Sequence, residues 1–567
     1  MVSYEDVLKM PKNIEETTLA TLNFFNDNYR DISPEILENR KKIKKYIEKF
    51  HSEAGTLTSK VMDKVDLLDK EKNYPVLMAA HQPNFIPYGG VVRKATLLHI
   101  LDKELKELTS NPNIEFFGIA DQDISQSWRW QRESQLPSIR KKNGYLSLFY
   151  DFPKEYDKKL FCSVPKPSKD DVNGWKEDIE NWINEEINRI EKINNNKISY
   201  EQKRQLYENF DRFTDLLDSA YNHSANFADF NAFLLSEIVN KKWGYDTLFT
   251  RFSECQQIFE HEFAFLLYNY KDFYNILNKT KLEIEGKTAE KVAPFWYHCD
   301  CNGKVSLFVY DENEKQISVG GKCPECMEYV EFEFDRDELK NGFGMRDIIS
   351  RISARARAMP LIIFNGLGVS CYVGGLGGSK KYSAESKIIA NNLKRKFPVY
   401  IAWLPHDYYA GLGQLDAFLT LKSACNGSRI NLKNSLDKIQ SEIATLDSEL
   451  EKKKDKLRKQ IKKGNREEII REIKKIDSEY KKKESSLKAY LASLKKVPTA
   501  LGLRPSIADY IINIGLEETN KQWIKYLEEN GKLTEDLYLD SVFGKNEELF
   551  ELVREDGLLV RGDKDGR

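Results

Sequence analysis

Residues Val76-Leu-Met-Ala-Ala-His81 form an apolar run of strand character that ends abruptly in the polar turn Gln82-Pro-Asn84-Phe-Ile-Pro-Tyr-Gly89-Gly90. A helical pattern follows at once, with Val91, Val92, Ala95, Leu97, Leu98 and Leu101 on its apolar side. Strand, tight turn and helix in that order is how a parallel sheet presents polar groups at the carboxyl end of a strand. The unit recurs. Ile114-Glu-Phe-Phe-Gly-Ile-Ala120 reads as a buried strand that ends in Asp121-Gln-Asp123. Tyr245-Asp-Thr-Leu-Phe-Thr-Arg-Phe, Pro360-Leu-Ile-Ile-Phe-Asn-Gly and Val399-Tyr-Ile-Ala-Trp-Leu-Pro405 read as further strands, with helical stretches between them. The pattern predicts an α/β fold with a mainly parallel sheet and insertions between its halves.

Ligands of such sheets bind where the strands end. The first turn offers an imidazole at His81, amides at Gln82 and Asn84, and a helix start at Gly89 and Gly90 where a ligand can approach the backbone. A turn that binds nothing is the competing reading. A second segment, Asn365-Gly-Leu-Gly368 through Gly374-Gly375-Leu-Gly377-Gly-Ser379-Lys380-Lys381, also precedes a helix. Its glycines, Ser379 and Lys380 would suit a phosphate or carboxylate, although their spacing is not that of a Walker loop. Packed glycine turns are the alternative. Asp121 and Asp123 are candidates for a general base or for partners of substrate amines, and equally for helix caps. His406-Asp407 carries the same ambiguity.

At 567 residues the chain is too long for one ordinary core. Charged residues make up 31% yet the net charge is −1, so no global attraction to nucleic acid or anionic membrane exists. No apolar stretch approaches the roughly 20 residues needed to span a bilayer. The opening Met1-Val-Ser-Tyr-Glu-Asp carries no signal-peptide pattern, so a cytoplasmic protein without membrane attachment is expected. The expected division is a helical region over 1–72, the first core half over 73–165, a helical insertion over 166–220 and a connecting core region over 221–280. A zinc-ribbon-like insertion over 281–340, the second core half over 341–428, a coiled-coil hairpin over 429–496 and a helical region over 497–567 complete it.

His298-Cys299-Asp-Cys301 and Cys323-Pro-Glu-Cys326 flank a hairpin-like span. Cys299, Cys301, Cys323 and Cys326 can converge on one tetrahedral ion, which predicts structural zinc. The Cys-x-Cys spacing is unusual enough that His298 could replace one sulfur, and a redox dithiol is the rival use. A closed four-ligand site leaves no position for substrate. Cys162, Cys255, Cys371 and Cys425 show no partner spacing and read as packing residues.

Leu436, Ile439, Ile443, Leu446, Leu450, Lys453 and Leu457 follow a heptad seam, which Gly464-Asn465 interrupts. Ile469, Ile473, Ile476, Tyr480, Lys483, Leu487 and Leu494 resume it. An antiparallel hairpin with arms of roughly 45 Å is the economical reading. Pairing with a second subunit, and hence a homodimer, is the alternative. The basic stretch Lys452–Lys459 reads as a solvated face. RNA binding is the lesser reading, since interleaved aromatics are lacking.

In their order, several of these segments resemble the cysteine-adding enzyme family of bacillithiol synthesis, over roughly residues 1–520. They are the helical amino-terminal region, the Gln-Pro turn with its paired glycines, Phe117-Gly-Ile-Ala-Asp-Gln-Asp123, Asn226-Phe-Ala-Asp229-Phe, Gly374-Gly375-Leu-Gly377 and the late coiled coil. The resemblance implies a Rossmann-like nucleotidyltransferase core with insertions, a C-terminal antiparallel coiled coil and a cytoplasmic, often dimeric protein. The implied activity is a ligase that joins L-cysteine to a glucosaminyl-malate acceptor through an amide bond. His81, Gln82, Asn84, Gly89 and Gly90 would line its pocket, Asp121 and Asp123 would match its acidic pair, and Gly374, Gly375 and Gly377 its later glycine motif. His81 and Asn84 replace the family's Gly-Gln-Gln start, Ser379-Lys380-Lys381 is more basic than its counterpart, and the zinc-like insertion is not a family feature.

Amide formation in water needs an activated carboxyl, so ATP with Mg2+ is the expected cosubstrate, with His81, Asp121, Asp123 and Lys380 as catalytic groups. A zinc ribbon in such a core is also similar to class I aminoacyl-tRNA synthetases, which makes a tRNA-directed enzyme the alternative. A non-catalytic coiled-coil scaffold is the third reading.

Overall fold

The computed structural model describes residues 4–125, 129–193, 197–375, 378–403, 405–425, 430–460 and 466–555. At its centre lie five parallel strands: β1 (Val76–His81), β2 (Ile114–Ile119), β3 (Leu248–Arg251), β4 (Val369–Val373) and β5 (Val399–Ile401). They are ordered β3-β2-β1-β4-β5. The registers pair His81 with Ile119 and Ile119 with Arg251 on one side, and Ala79 with Val373 and Val373 with Ile401 on the other. All five carboxyl ends therefore share one edge, and the chain's direction of travel across the sheet reverses between β1 and β4.

Side chains alternate between two cores. Leu77, Ala79, Phe117, Ile119, Phe249 and Val373 face helices Gly89–Thr109 and Phe227–Ser236. Met78, Ala80, Phe116, Leu248 and Tyr400 face helices Pro34–Glu53, Met359–Leu367 and Gly378–Asn392. Both faces are covered, which is why the strands are mainly apolar rather than alternating, with Glu115, Thr250, Arg251 and Ser370 as polar interruptions. Asn226 caps the helix that begins at Phe227, its side chain accepting from the Asp229 N–H at 2.9 Å.

One strand expectation fails. Pro360-Leu-Ile-Ile-Phe-Asn-Gly lies in a helix, Met359–Leu367. Pro360 occupies the first turn, where its missing N–H costs nothing, and Gly368 closes the helix at φ 66°. A stretch that is apolar all round shows no periodicity to separate a buried helix from a buried strand. The strand is the next segment, Val369–Val373, which lies inside the glycine-bearing stretch Asn365–Lys381.

A second, antiparallel sheet runs Ile352–Ala354, Val292–His298, Lys304–Glu312, Gln316–Lys322 and Tyr329–Asp335 in spatial order. Its inward residues Phe295, Leu307, Ile317 and Val319 belong to the same core as one face of the central sheet. Helices Leu432–Gln460 and Arg466–Leu494 lie against each other, joined by Lys454 to Asp477 at 2.6 Å and by Lys453 over the Tyr480 ring at 5.0 Å. Ile439, Leu446, Ile469 and Leu494 are buried, whereas Lys453 and Lys483 are exposed. The Gly464-Asn465 turn lies outside the described residues. Among the described residues, no helix is long and apolar enough to cross a membrane.

Candidate functional site at the sheet edge

The turn after β1 is tightly determined. Asn84 Oδ1 accepts from the Tyr88 N–H at 3.1 Å, and Asn231 Oδ1 accepts from the Ile86 N–H at 3.1 Å. Ile86 is held at φ 40°, an uncommon backbone for a β-branched residue that persists only where its surroundings impose it. The Ser134 hydroxyl, donating to the Ile86 carbonyl at 3.2 Å, completes the clamp. His81, half-buried, has Nδ1 at 2.8 Å from the Gln82 carbonyl. Burial, assisted by the neighbouring Lys94 ammonium, pushes the imidazole down to about 3, so His81 is neutral at physiological pH and supplies no positive charge. Lys94 itself donates to the Ala80 carbonyl at 2.8 Å, and burial lowers it to about 8.

Gly89 is a packing requirement. A Cβ there would stand 2.3 Å from the Tyr510 ring, and its N–H donates to the Pro505 carbonyl at 3.1 Å. The segment 505–507 pairs with this turn through Ile507 N–H to the Pro87 carbonyl. Gly90 stays half-exposed. A small depression of about 10 Å³, room for about one water, opens beside the turn, lined by His81, Gln82, Asn84, Val91, Ile119 and Asn231.

The two aspartates divide their work. Asp121 is fully buried and accepts from the Ser253 N–H at 2.9 Å and from the Ser253 hydroxyl. This fastens the end of β2 to the short helix after β3. Gly118 makes room for it, since a Cβ there would strike the Phe252 ring at 2.1 Å. Burial raises Asp121 to about 6 against the two Ser253 hydrogen bonds. A folded pKa above the unfolded one means the protonated form contributes stability fully below about 4, and that contribution is lost as pH rises through about 6. The stability of the wild type relative to Asp121→Asn should therefore decline between pH 4.5 and 7 and then level off. Urea titrations of the pair across that range test this, and a flat difference refutes it.

Asp123 is partly exposed. It accepts from Gln82 Nε2 at 2.8 Å and from the Ile124 N–H at 3.0 Å, and pairs with Lys304 Nζ at 3.2 Å. Burial opposes its ionisation, but the Lys304 charge and the hydrogen bonds outweigh it and hold Asp123 below the usual carboxylate range.

The second glycine segment starts where β4 ends, beside β1. Gly374 allows the Tyr400 ring to pass, as a Cβ would lie 2.2 Å from its hydroxyl; that hydroxyl donates to the Gly375 carbonyl at 2.8 Å. Gly375 has open space where a Cβ would sit. Gly377 lies outside the described residues, as does the side chain of Ser379. Lys380, in the first turn of helix Gly378–Asn392, pairs with Glu5. His81 thus ends β1, and Lys380 lies in the helix that follows the adjacent β4, at the same edge. The other polar pair is placed differently: Asp407 is buried against Arg93 at 2.5 Å and against the Tyr510 hydroxyl.

The four cysteines meet. Their sulfurs all lie within 4.8 Å of one another, with Cys299 to Cys326 at 3.4 Å and Cys301 to Cys323 at 3.6 Å. Tetrahedral thiolates about 2.3 Å from an ion stand about 3.8 Å apart, so the donor set fits a metal and none of these pairs is a disulfide. His298 does not join them. Its Nε2 lies 2.8 Å from the Ser353 hydroxyl. A second group, His99, Glu115 and Asp246, gathers at the amino edge of the sheet. There Lys64, bonded to Asp246 at 3.1 Å and Asp102 at 3.2 Å, already supplies the cation.

Sequence reasoning missed Lys304, Ser253 and Arg251. No local motif marks them; Lys304 stands out only as the first residue after the cysteine turn. No model of a known protein family matches the chain, and no curated protein matches it. Fold and site define a mixed α/β protein built on a parallel sheet. Its four-cysteine cluster, able to hold a metal ion, belongs to a module docked on the carboxyl edge of that sheet.

Proposed function

We propose that this chain is a nucleotide-dependent, amide-forming ligase that couples L-cysteine, or a related amino acid, to an amino-sugar conjugate in low-molecular-weight thiol synthesis of the bacillithiol type. One observation carries the reading: β1 lies between β2 and β4, so their carboxyl ends bring His81 and Gln82, Asp123 and Gly375 with the helix of Lys380 to one edge. The strand order β3-β2-β1-β4-β5 supports reading the sheet as a doubly wound, Rossmann-like core, a class whose ligands lie in the crevice where the order reverses. Zinc is the ion we assign to the four cysteines, the helical pair is read as an antiparallel coiled coil, and a reducing cytoplasm suits the unlinked thiols.

In this reaction the cysteine carboxylate displaces pyrophosphate from ATP, and the acceptor amine then displaces AMP from the mixed anhydride. Lys380, once released from Glu5, and the first amides of its helix would hold the phosphates, with Mg2+ as counter-ion. Asp123, oriented by Gln82, receives the proton of the attacking amine. His81, being neutral, acts as a hydrogen-bond partner. Asp121 is a positioning residue through Ser253. The basic run of the helical pair is partly neutralised, Lys454 by Asp477 and Glu451 and Arg458 by Asp455 and Glu451, which favours a small-molecule acceptor over RNA.

The test is incubation of the full chain with ATP, cysteine and glucosaminyl-malate, with the product followed by mass spectrometry. Wild type should form the cysteinyl amide, and Asp123→Asn should lower the rate about 100-fold or more. No product, together with no thermal shift from ATP, cysteine or the amino sugar, overturns the reading.

A further inference from the structure

We propose that the four-cysteine module is a metal-dependent wall of the sheet-edge crevice, and that Lys304 is the positioning residue through which metal occupancy reaches Gln82 and Asp123. The proposal rests on the ligase reading only in treating the crevice as the reaction site.

Three segments meet in one seam. The turn Cys299–Gly303 closes on itself, with the Asn302 N–H donating to the Cys299 carbonyl at 2.8 Å and the Cys299 N–H to the Gly303 carbonyl at 3.0 Å. Gly303 lies directly on the sulfurs. A Cβ there would be 3.1 Å from Cys323 Sγ and 3.2 Å from Cys301 Sγ, so the turn and the ion-binding cage share one surface. From that turn the Asn302 carbonyl accepts from the Leu160 N–H at 2.9 Å, and Gly303 forms a bridge with Lys159. The neighbouring segment is tied to the end of β2, since the Phe161 N–H donates to the Asp123 carbonyl at 2.9 Å and the Cys162 N–H to the Asp121 carbonyl at 3.1 Å.

Lys304 is the next residue. Its side chain is 9% exposed, and its ammonium reaches Asp123 at 3.2 Å while lying 5.9 Å from the Trp296 ring. Asp123 in turn holds Gln82. A buried ammonium is strongly directional here because its carboxylate partner must be in place to offset lost hydration. Metal bound to the four thiolates fixes both knuckle turns, which fixes where the Lys304 backbone enters the seam. When the metal leaves, the thiols lose their common centre, the Cys299–Gly303 turn keeps only its own hydrogen bonds and those to Lys159 and Leu160, and Lys304 is directed less firmly at Asp123.

Hydrogen–deuterium exchange on the full chain tests this without any substrate. Exchange over 157–163 and 119–125 is compared between zinc-loaded protein and protein stripped by chelation, with metal content measured in each. We expect at least tenfold faster exchange in both segments after stripping, reversed on adding Zn2+, with β4 unchanged. Lys304→Met should reproduce the faster exchange at 119–125 while one zinc per chain remains bound, and Lys304→Arg should restore slow exchange. Asp123→Asn, which breaks the same pair from the other side, should match Lys304→Met. The proposal is overturned if stripped and loaded protein exchange alike in these segments. It is equally overturned if Lys304→Met behaves as wild type. If the seam responds as expected and no cysteinyl product forms, only the ligase reading falls.

Discussion

Replacement of Cys323 by Ser is expected to abolish stoichiometric metal binding and to melt the outer part of the four-cysteine module. Cys323 is fully buried, its N–H donates to the Glu328 carbonyl at 2.8 Å, and its sulfur stands 3.6 Å from that of Cys301. Structural zinc in small modules contributes about 10–16 kcal/mol of apparent folding free energy. The whole of that is not at stake here, because Phe295, Leu307 and Val319 are packed into a core shared with the central sheet. The loss should concentrate in 299–303 and 316–335, where the sheet's outer strands depend on the knuckles. Elemental analysis should show one metal per chain in wild type and none in the variant. Limited proteolysis should cut the variant in those two segments while the parallel sheet survives. A Cys323→Ser protein that keeps its metal and its protease resistance contradicts the assignment.

The second large effect concerns Arg251, the last residue of β3. Its guanidinium is 6% exposed and pairs with Asp229 at 2.6 Å, Glu53 at 2.8 Å and Glu254 at 3.4 Å, while stacking near Phe50 and Phe233. Arg251→Met keeps the packing and removes the charge. Glu53 and Glu254 are partly exposed and can rehydrate, but Asp229 is only 6% exposed and cannot. An ion stranded in this way costs about 3–5 kcal/mol. Urea unfolding of the variant should show a loss of that size, and the double variant Asp229→Asn/Arg251→Met should regain most of it. A loss below about 1 kcal/mol would mean that water reaches Asp229 and the network is not closed. Because Ser253 sits two residues along, the same substitution should loosen the Asp121 anchor at the edge of the crevice.

Much of the sheet was legible because its strands carry their own signal. β1 and β2 are apolar runs that end in polar turns, and Asn226 with Asp229 marks a helix start by cap chemistry alone. Met359–Leu367 misled because an all-apolar segment satisfies both periods at once, and only its length and the flanking Pro360 and Gly368 arbitrate. The cysteine quartet was legible by spacing. The exclusion of His298 was not, because its ring direction depends on Ser353, 55 residues away. Among the crevice residues, Gln82 and Asp123 stood at readable strand ends. The glycines at 89 and 374 were readable as glycines but not as packing sites for Tyr510 and Tyr400, whose positions are long-range facts.

The amino-acid sequence alone settled what local chemistry can encode: alternating strands and helices, four thiols at knuckle-like spacing, two long amphipathic helices, and no apolar stretch long enough for a membrane-crossing helix. Only the tertiary structure decided which loops share an edge, that Lys304 answers Asp123, that Glu5 meets Lys380, and that His81 is stripped of its charge. The physical reason is range. Periodicity, caps and knuckles act over a few residues, whereas strand adjacency and the burial of an ionisable group depend on segments that are separated along the chain and come together only when the core closes.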